Sequence, residues 1–94
     1  MQIGEVGETV ITRNLAAALE RNKALENDIK SAWERYIKCD WGNLGEEDKV
    51  LNDNAVINPK SDRILARYST LEGDIYIITE WDRSYTTFMF CNEY

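Results

Sequence analysis

The sequence predicts an α+β fold, with N-terminal helices packed on one face of a C-terminal three-stranded antiparallel meander. Three observations predict it. Between Lys23 and Lys38 the apolar residues recur at helical spacing. After Arg63 come three short runs rich in β-branched and aromatic residues, Arg63–Ser69, Ile75–Trp81 and Tyr85–Cys91. The connectors between these runs, Thr70–Asp74 and Asp82–Ser84, are short enough for hairpins.

The chain has 94 residues, the length of one domain spanning 1–94. Residues 1–8 are polar and carry two glycines, so loose order is expected there. Thr9-Val-Ile-Thr12 is β-branched throughout and suits a short strand at the sheet edge. Thr12 or Asn14 can cap a helix that starts at Leu15, and Asn22 interrupts it. In the next helix Leu25, Ile29, Ala32, Trp33, Tyr36 and Ile37 form one apolar stripe. Glu26, Lys30, Glu34 and Lys38 run down another face at i+4 spacing, with each glutamate ahead of a lysine. Asp40-Trp-Gly-Asn-Leu44 ends that helix, because Gly42 tolerates positive φ and Asp and Asn make local turn bonds. A third helix is predicted from Glu46 to about Ala55, with Val50 and Leu51 turned inward. Its three leading acids suit the positive end of a helix dipole. Asn58–Asp62, which holds the only proline, is a turn into the sheet.

Alternation assigns the strand faces. Ile64, Ala66 and Tyr68 share one face of the first run, opposite Leu65 and Arg67. The second run is apolar on both faces near its middle, which predicts a central strand. The expected core is Leu25, Ile29, Trp33, Ile37, Ile64, Ile77 and Phe88.

Composition bounds the function. The formal charge is −6, which argues against direct binding to nucleic acid and favours a basic partner. The chain has no histidine and no Cys-x-x-Cys, so neither a metal site nor a cofactor is expected. No apolar run approaches the length of a membrane helix, and Met1–Glu8 is unlike a secretory leader. A cytoplasmic protein is expected, with Cys39 and Cys91 reduced.

Two constellations merit weighing. Glu80, Trp81, Asp82 and Arg83 sit at one hairpin. There a Glu, an Asp and an Arg can form an acid–base group with a cationic clamp, as in a small hydrolase or nuclease. The same residues are ordinary turn chemistry, with Arg83 pairing Glu80 or Asp82 to hold the hairpin. Trp81 is a candidate aromatic anchor at an interface. Asp40, Glu46, Glu47, Asp48 and Asp53 form the densest acidic run, and their spacing does not follow a calcium loop. They are either a solvated helix face or a negative surface for a basic groove.

The run Asp40-Trp-Gly-Asn-Leu44, with Glu46-Glu-Asp48 and Asn52-Asp53, resembles a family of short proteins labelled plasmid-related and carried by bacterial mobile elements. The resemblance continues through Arg63-Ile-Leu65, Tyr68, Ile77-Ile-Thr-Glu80, Asp82-Arg-Ser84, Thr86-Thr87, Phe90 and Tyr94, and so covers most of the chain. That family has no settled activity. The resemblance implies a setting of plasmids, integrating elements and phages. Small acidic proteins of that setting include anti-CRISPR proteins, some of which imitate the charge of nucleic acid. The expectation is a non-enzymatic inhibitor that occludes a basic surface of a nucleic-acid-binding host defence protein, such as a CRISPR effector. The alternatives are a small hydrolase using Glu80, Asp82 and Arg83, or a homodimeric accessory protein.

Overall fold

A computed structural model describes the whole chain, Met1–Tyr94. The elements run β1 (Glu8–Ile11), α1 (Arg13–Arg21), α2 (Leu25–Ile37), α3 (Glu46–Ile57), β2 (Ile64–Tyr68), β3 (Ile75–Thr79) and β4 (Tyr85–Phe90), then a 3-10 turn over Cys91–Glu93. The class is α+β, as the sequence predicts. The meander β2–β3–β4 is antiparallel throughout. The sheet itself is four-stranded and mixed rather than three-stranded and antiparallel. β1 joins parallel to β4, with Glu8 beside Tyr85 and Ile11 beside Phe88. A tight hairpin forces antiparallel pairing, but the connection from β1 to β4 runs through three helices and two strands and leaves the direction free.

Thr12 caps α1 by accepting the Leu15 N–H at 3.4 Å. α2 ends in a left-handed residue at Cys39 (φ 63°). The Cys39 N–H bonds the Tyr36 carbonyl at 3.0 Å, and the Arg35 carbonyl accepts from both the Lys38 N–H at 3.1 Å and the Asp40 N–H at 2.9 Å, which satisfies carbonyls of the last turn. Leu25, Ala32 and Tyr36 form the fully buried line of α2, while Ile29, Trp33 and Ile37 flank it half-buried. The small Ala32 lets the helix approach the sheet. Trp33 then lies over Phe88 with centroids 5.4 Å apart. The residues before β1 are tied down as well: Ile3 is buried and its N–H bonds the Ile37 carbonyl at 3.0 Å.

α3 departs from the expected layer. α1 and α2 cover the face that carries Ala66, Ile77, Thr79 and Phe88, but α3 lies along the outer edge of β2. The two outward-facing residues of β2 are both satisfied there. Asn52 Nδ2 donates to the Leu65 carbonyl at 2.8 Å, and the Leu65 N–H donates to Asn52 Oδ1 at 3.2 Å. The Arg67 N–H donates to the Trp41 carbonyl at 3.2 Å, and the Asn43 N–H to the Arg67 carbonyl at 2.7 Å. Gly42 makes this approach possible. Its φ is +75°, and a Cβ there would sit 2.0 Å from the Arg67 carbonyl oxygen.

A buried hydroxyl chain links the layers. Tyr36 Oη lies 2.6 Å from Thr79 Oγ1, which lies 2.7 Å from Thr86 Oγ1, which donates to the Val6 carbonyl at 2.6 Å. A carbonyl only accepts and each hydroxyl has one proton, so the direction is fixed. Tyr36 donates to Thr79, Thr79 to Thr86, and Thr86 to Val6. Burial pushes the Tyr36 phenol well above its ordinary 10.0, because the ionised form would lose its hydration. Burial does the same to Tyr68, whose hydroxyl donates to the Asp40 carbonyl at 2.7 Å. Both groups hold their protons more tightly folded than unfolded, so this stability is present below pH 10 and declines as pH rises above it. Urea midpoints measured from pH 8 to 11.5 are expected to fall steeply above pH 10. Tyr36→Phe is expected to start lower, because Thr79 loses its donor, and to decline less steeply.

Candidate interaction surface

The nine residues singled out in the sequence fall into three groups in the structure. Asp40 and Asp53 are tied into the fold. The Arg35 guanidinium grips the Asp40 carboxylate at 2.8 and 3.2 Å and holds its carboxyl below the usual range, and Gly42 N–H adds a third bond at 3.2 Å. Asp53 accepts the indole N–H of buried Trp41 at 2.9 Å, which fixes α3 against the segment that covers β2.

The second group is the β3–β4 hairpin. Trp81 and Asp82 are exposed, Trp81 by 58%. Hydrogen bonds from Ser84 hold the Asp82 carboxyl below its usual range, and the Ser84 N–H lies 3.0 Å from its oxygen. Arg83 has φ 62° and is only 4% exposed. Its guanidinium donates to four backbone carbonyls: Ala55 at 2.8 Å, Asp62 at 2.8 Å, Glu80 at 3.1 Å and Trp81 at 3.2 Å. The side chains of Glu80, Asp82 and Arg83 make no hydrogen bond or ion pair with one another. Arg83 holds the hairpin through carbonyls, not through the carboxylate pairing that its sequence neighbours suggest.

The third group, Glu46, Glu47 and Asp48, forms the exposed first turn of α3. Their only ion pair runs from Glu46 to Lys49 at 3.8 Å. Arg83 meets α3 near its opposite end, at Ala55. With 1.5 Å of rise per residue, the acidic turn and the hairpin are about 12 Å apart along the helix. The structure therefore does not merge the two constellations into one patch.

What the acidic turn does have beside it is apolar. Val50 and Leu51, expected inside, are 54% and 57% exposed, and Ile57 is 66% exposed. The inward residues are Asn52 and Ala55, with Val56 partly covered. Leu51 and Asp48 also line a groove of about 650 Å³ whose far wall is Leu65, Arg67, Tyr76 and Tyr94. Within that wall Tyr76 and Tyr94 meet edge to face at 5.6 Å, and Arg67 is held by Asp74 at 2.8 Å. These features escape sequence reading, since the apolar residues of α3 fit an inward or an outward face equally well.

No group of three or more His, Cys, Asp or Glu side chains is placed to hold a metal ion. Cys39 and Cys91 are free thiols, and burial raises both. No helix is long and apolar enough to cross a membrane. No family model, curated protein or solved structure matches this chain.

Arg83→Ala is expected to lower stability by about 3 kcal/mol, since it strands the Ala55 and Asp62 carbonyls at the hairpin. Arg83→Lys is expected to recover only part of this, because an ammonium lacks the planar fork. Urea unfolding followed by tryptophan fluorescence measures both.

Proposed function

We propose that this chain is a non-enzymatic binding protein of a bacterial mobile element that inhibits a nucleic-acid-binding host defence protein by covering its basic surface. A CRISPR effector is the partner to test first. The observation that carries the reading is the outward face of α3. There Glu46, Glu47 and Asp48 adjoin the exposed side chains of Val50 and Leu51. Negative charge on a net −6 chain steers a basic partner in, and exposed apolar side chains supply the desolvated centre that charge alone lacks. The mobile-element setting comes from the resemblance of Asp40–Leu44, Asn52-Asp53 and Thr79–Thr87 to the plasmid-related family. The burial of Arg83 supports a structural role for the Glu80–Arg83 hairpin, with Trp81 as a secondary contact.

The mechanism is occlusion. Carboxylates of the first turn of α3 take the places of phosphates on the partner, while Val50 and Leu51 pack into its groove. Rim charges act mainly on the association rate and buried apolar anchors mainly on dissociation. The partner is captured by pull-down from a host extract, then measured by surface plasmon resonance at low and high salt. The triple variant Glu46→Lys, Glu47→Lys, Asp48→Lys is expected to associate at least about ten times more slowly at low salt, with an unchanged fold by circular dichroism. Leu51→Ala is expected to speed dissociation instead. Wild-type association by the triple variant at low salt overturns the acidic-face mechanism.

A further inference from the structure

The two edges of the sheet are finished differently. On β2 every outward backbone group is bonded, to Asn52 or to the Trp41–Asn43 segment. On β1 none of the four residues is covered: Glu8 to Ile11 are all exposed, Val10 by 38% and Ile11 by 42%. The phase of the β1–β4 ladder is fixed by its ends. Glu8 N–H donates to Ser84 at 3.2 Å and Thr12 N–H to Phe88 at 3.1 Å, so even-numbered residues face β4. The N–H and C=O groups of Thr9 and Ile11 therefore point out of the sheet. An open strand edge of this kind is a template for another strand.

We propose that β1 pairs antiparallel with β1 of a second copy of this chain, about a two-fold axis through Val10, joining two sheets into one of eight strands. The register closes on itself. With Val10 opposite Val10 of the partner subunit, Thr9 stands opposite the partner's Ile11 and Ile11 opposite the partner's Thr9. Both pairs are hydrogen-bonded pairs, so the four free N–H and C=O groups on each edge, eight in all, are used in four bonds. Charge chooses the same direction. Glu8 stands at one end of β1 and Arg13 just beyond the other, and neither makes an ion pair within its own chain. Antiparallel pairing sets Glu8 next to the partner's Arg13 at both ends, whereas parallel pairing would set like against like. Along β1 a groove of about 210 Å³, lined by Thr9, Val10, Ile11, Ile29 and Phe88, lies where the partner's Ile11 side chain would rest. α3 flanks the opposite edge of the sheet, so the dimer leaves both acidic faces free at its two ends.

Four strand residues bury less than the roughly 1,200 Å² of a stable interface, so the equilibrium is weak and is read at high concentration. Sedimentation velocity of the full chain from about 10 μM to 1 mM is expected to show a monomer–dimer equilibrium. Val10→Lys places two like charges on the axis and is expected to shift it at least about tenfold toward monomer, with an unchanged circular dichroism spectrum. Glu8→Lys is expected to weaken it, and Glu8→Lys with Arg13→Glu to restore it. Register is tested separately by oxidative cross-linking: Val10→Cys lies on the axis and is expected to cross-link, while Thr9→Cys lies too far from its counterpart and is not. A monomer throughout, a dimer indifferent to Val10→Lys, or equal cross-linking at positions 9 and 10 overturns the proposal.

Discussion

The buried guanidinium of Arg83 joins three pieces of chain that share no secondary-structure bond. Its acceptors are the Ala55 carbonyl near the end of α3, the Asp62 carbonyl before β2, and the Glu80 and Trp81 carbonyls of its own hairpin. A buried cation loses its hydration, and here four carbonyl dipoles replace that water. The Ala55 carbonyl also belongs to the negative end of the α3 dipole, which favours a cation there. The hairpin backbone meets the requirement by placing Arg83 at φ 62°, a conformation that costs a non-glycine residue about 1 kcal/mol and persists only where surrounding bonds outweigh it. Gly7 runs against the same hairpin, where a Cβ would lie 2.4 Å from the Arg83 carbonyl. The N-terminal strand, the last strand and α3 therefore all take their positions from one turn.

With its C-terminal end fixed by Arg83 and its middle by Asn52 and Asp53, α3 has little freedom to rotate. Asn52 supplies β2 with a donor and an acceptor, as a neighbouring strand would, and Asp53 takes the Trp41 indole. Those bonds decide which side of the helix faces the solvent. They close one edge of the sheet, and no comparable device exists on β1. The asymmetry divides the surface into an edge with outward backbone N–H and C=O groups and a helix face that presents charge and apolar side chains.

The parts legible in the sequence are those where the pattern and its partner lie close together. The α2 stripe and the three meander strands read correctly because periodicity, turn chemistry and short connectors agree. Within α2 the pattern marked the stripe but not its centre, which fell on Ala32 and Tyr36 because a small residue allows closer approach than Trp33. The direction of β1 was not legible, since parallel pairing with β4 rests on contacts more than seventy residues away in sequence. Arg83 read as turn chemistry, because nothing local reveals that its acceptors include Ala55 and Asp62. Of the acidic run, spacing alone could not separate Asp40 and Asp53, which have neutral or cationic donors waiting for them, from Glu46–Asp48, which face water.

The inversion of α3 is the feature that links the stability of the fold to the proposed function. An ordinary surface helix buries its apolar residues and exposes its polar ones. Here an asparagine lies inside, 5% exposed, while Val50, Leu51 and Ile57 lie outside. Folding alone does not favour that arrangement, since exposed valine, leucine and isoleucine remove little apolar surface from water. The edge of β2 explains why Asn52 is inside, because an apolar residue there would leave the Leu65 N–H and C=O without partners. It does not explain why the opposite side is apolar, when lysine or glutamine would serve an exposed helix face as well. On the proposed function, a basic partner surface covers these apolar side chains and meets the three carboxylates beside them.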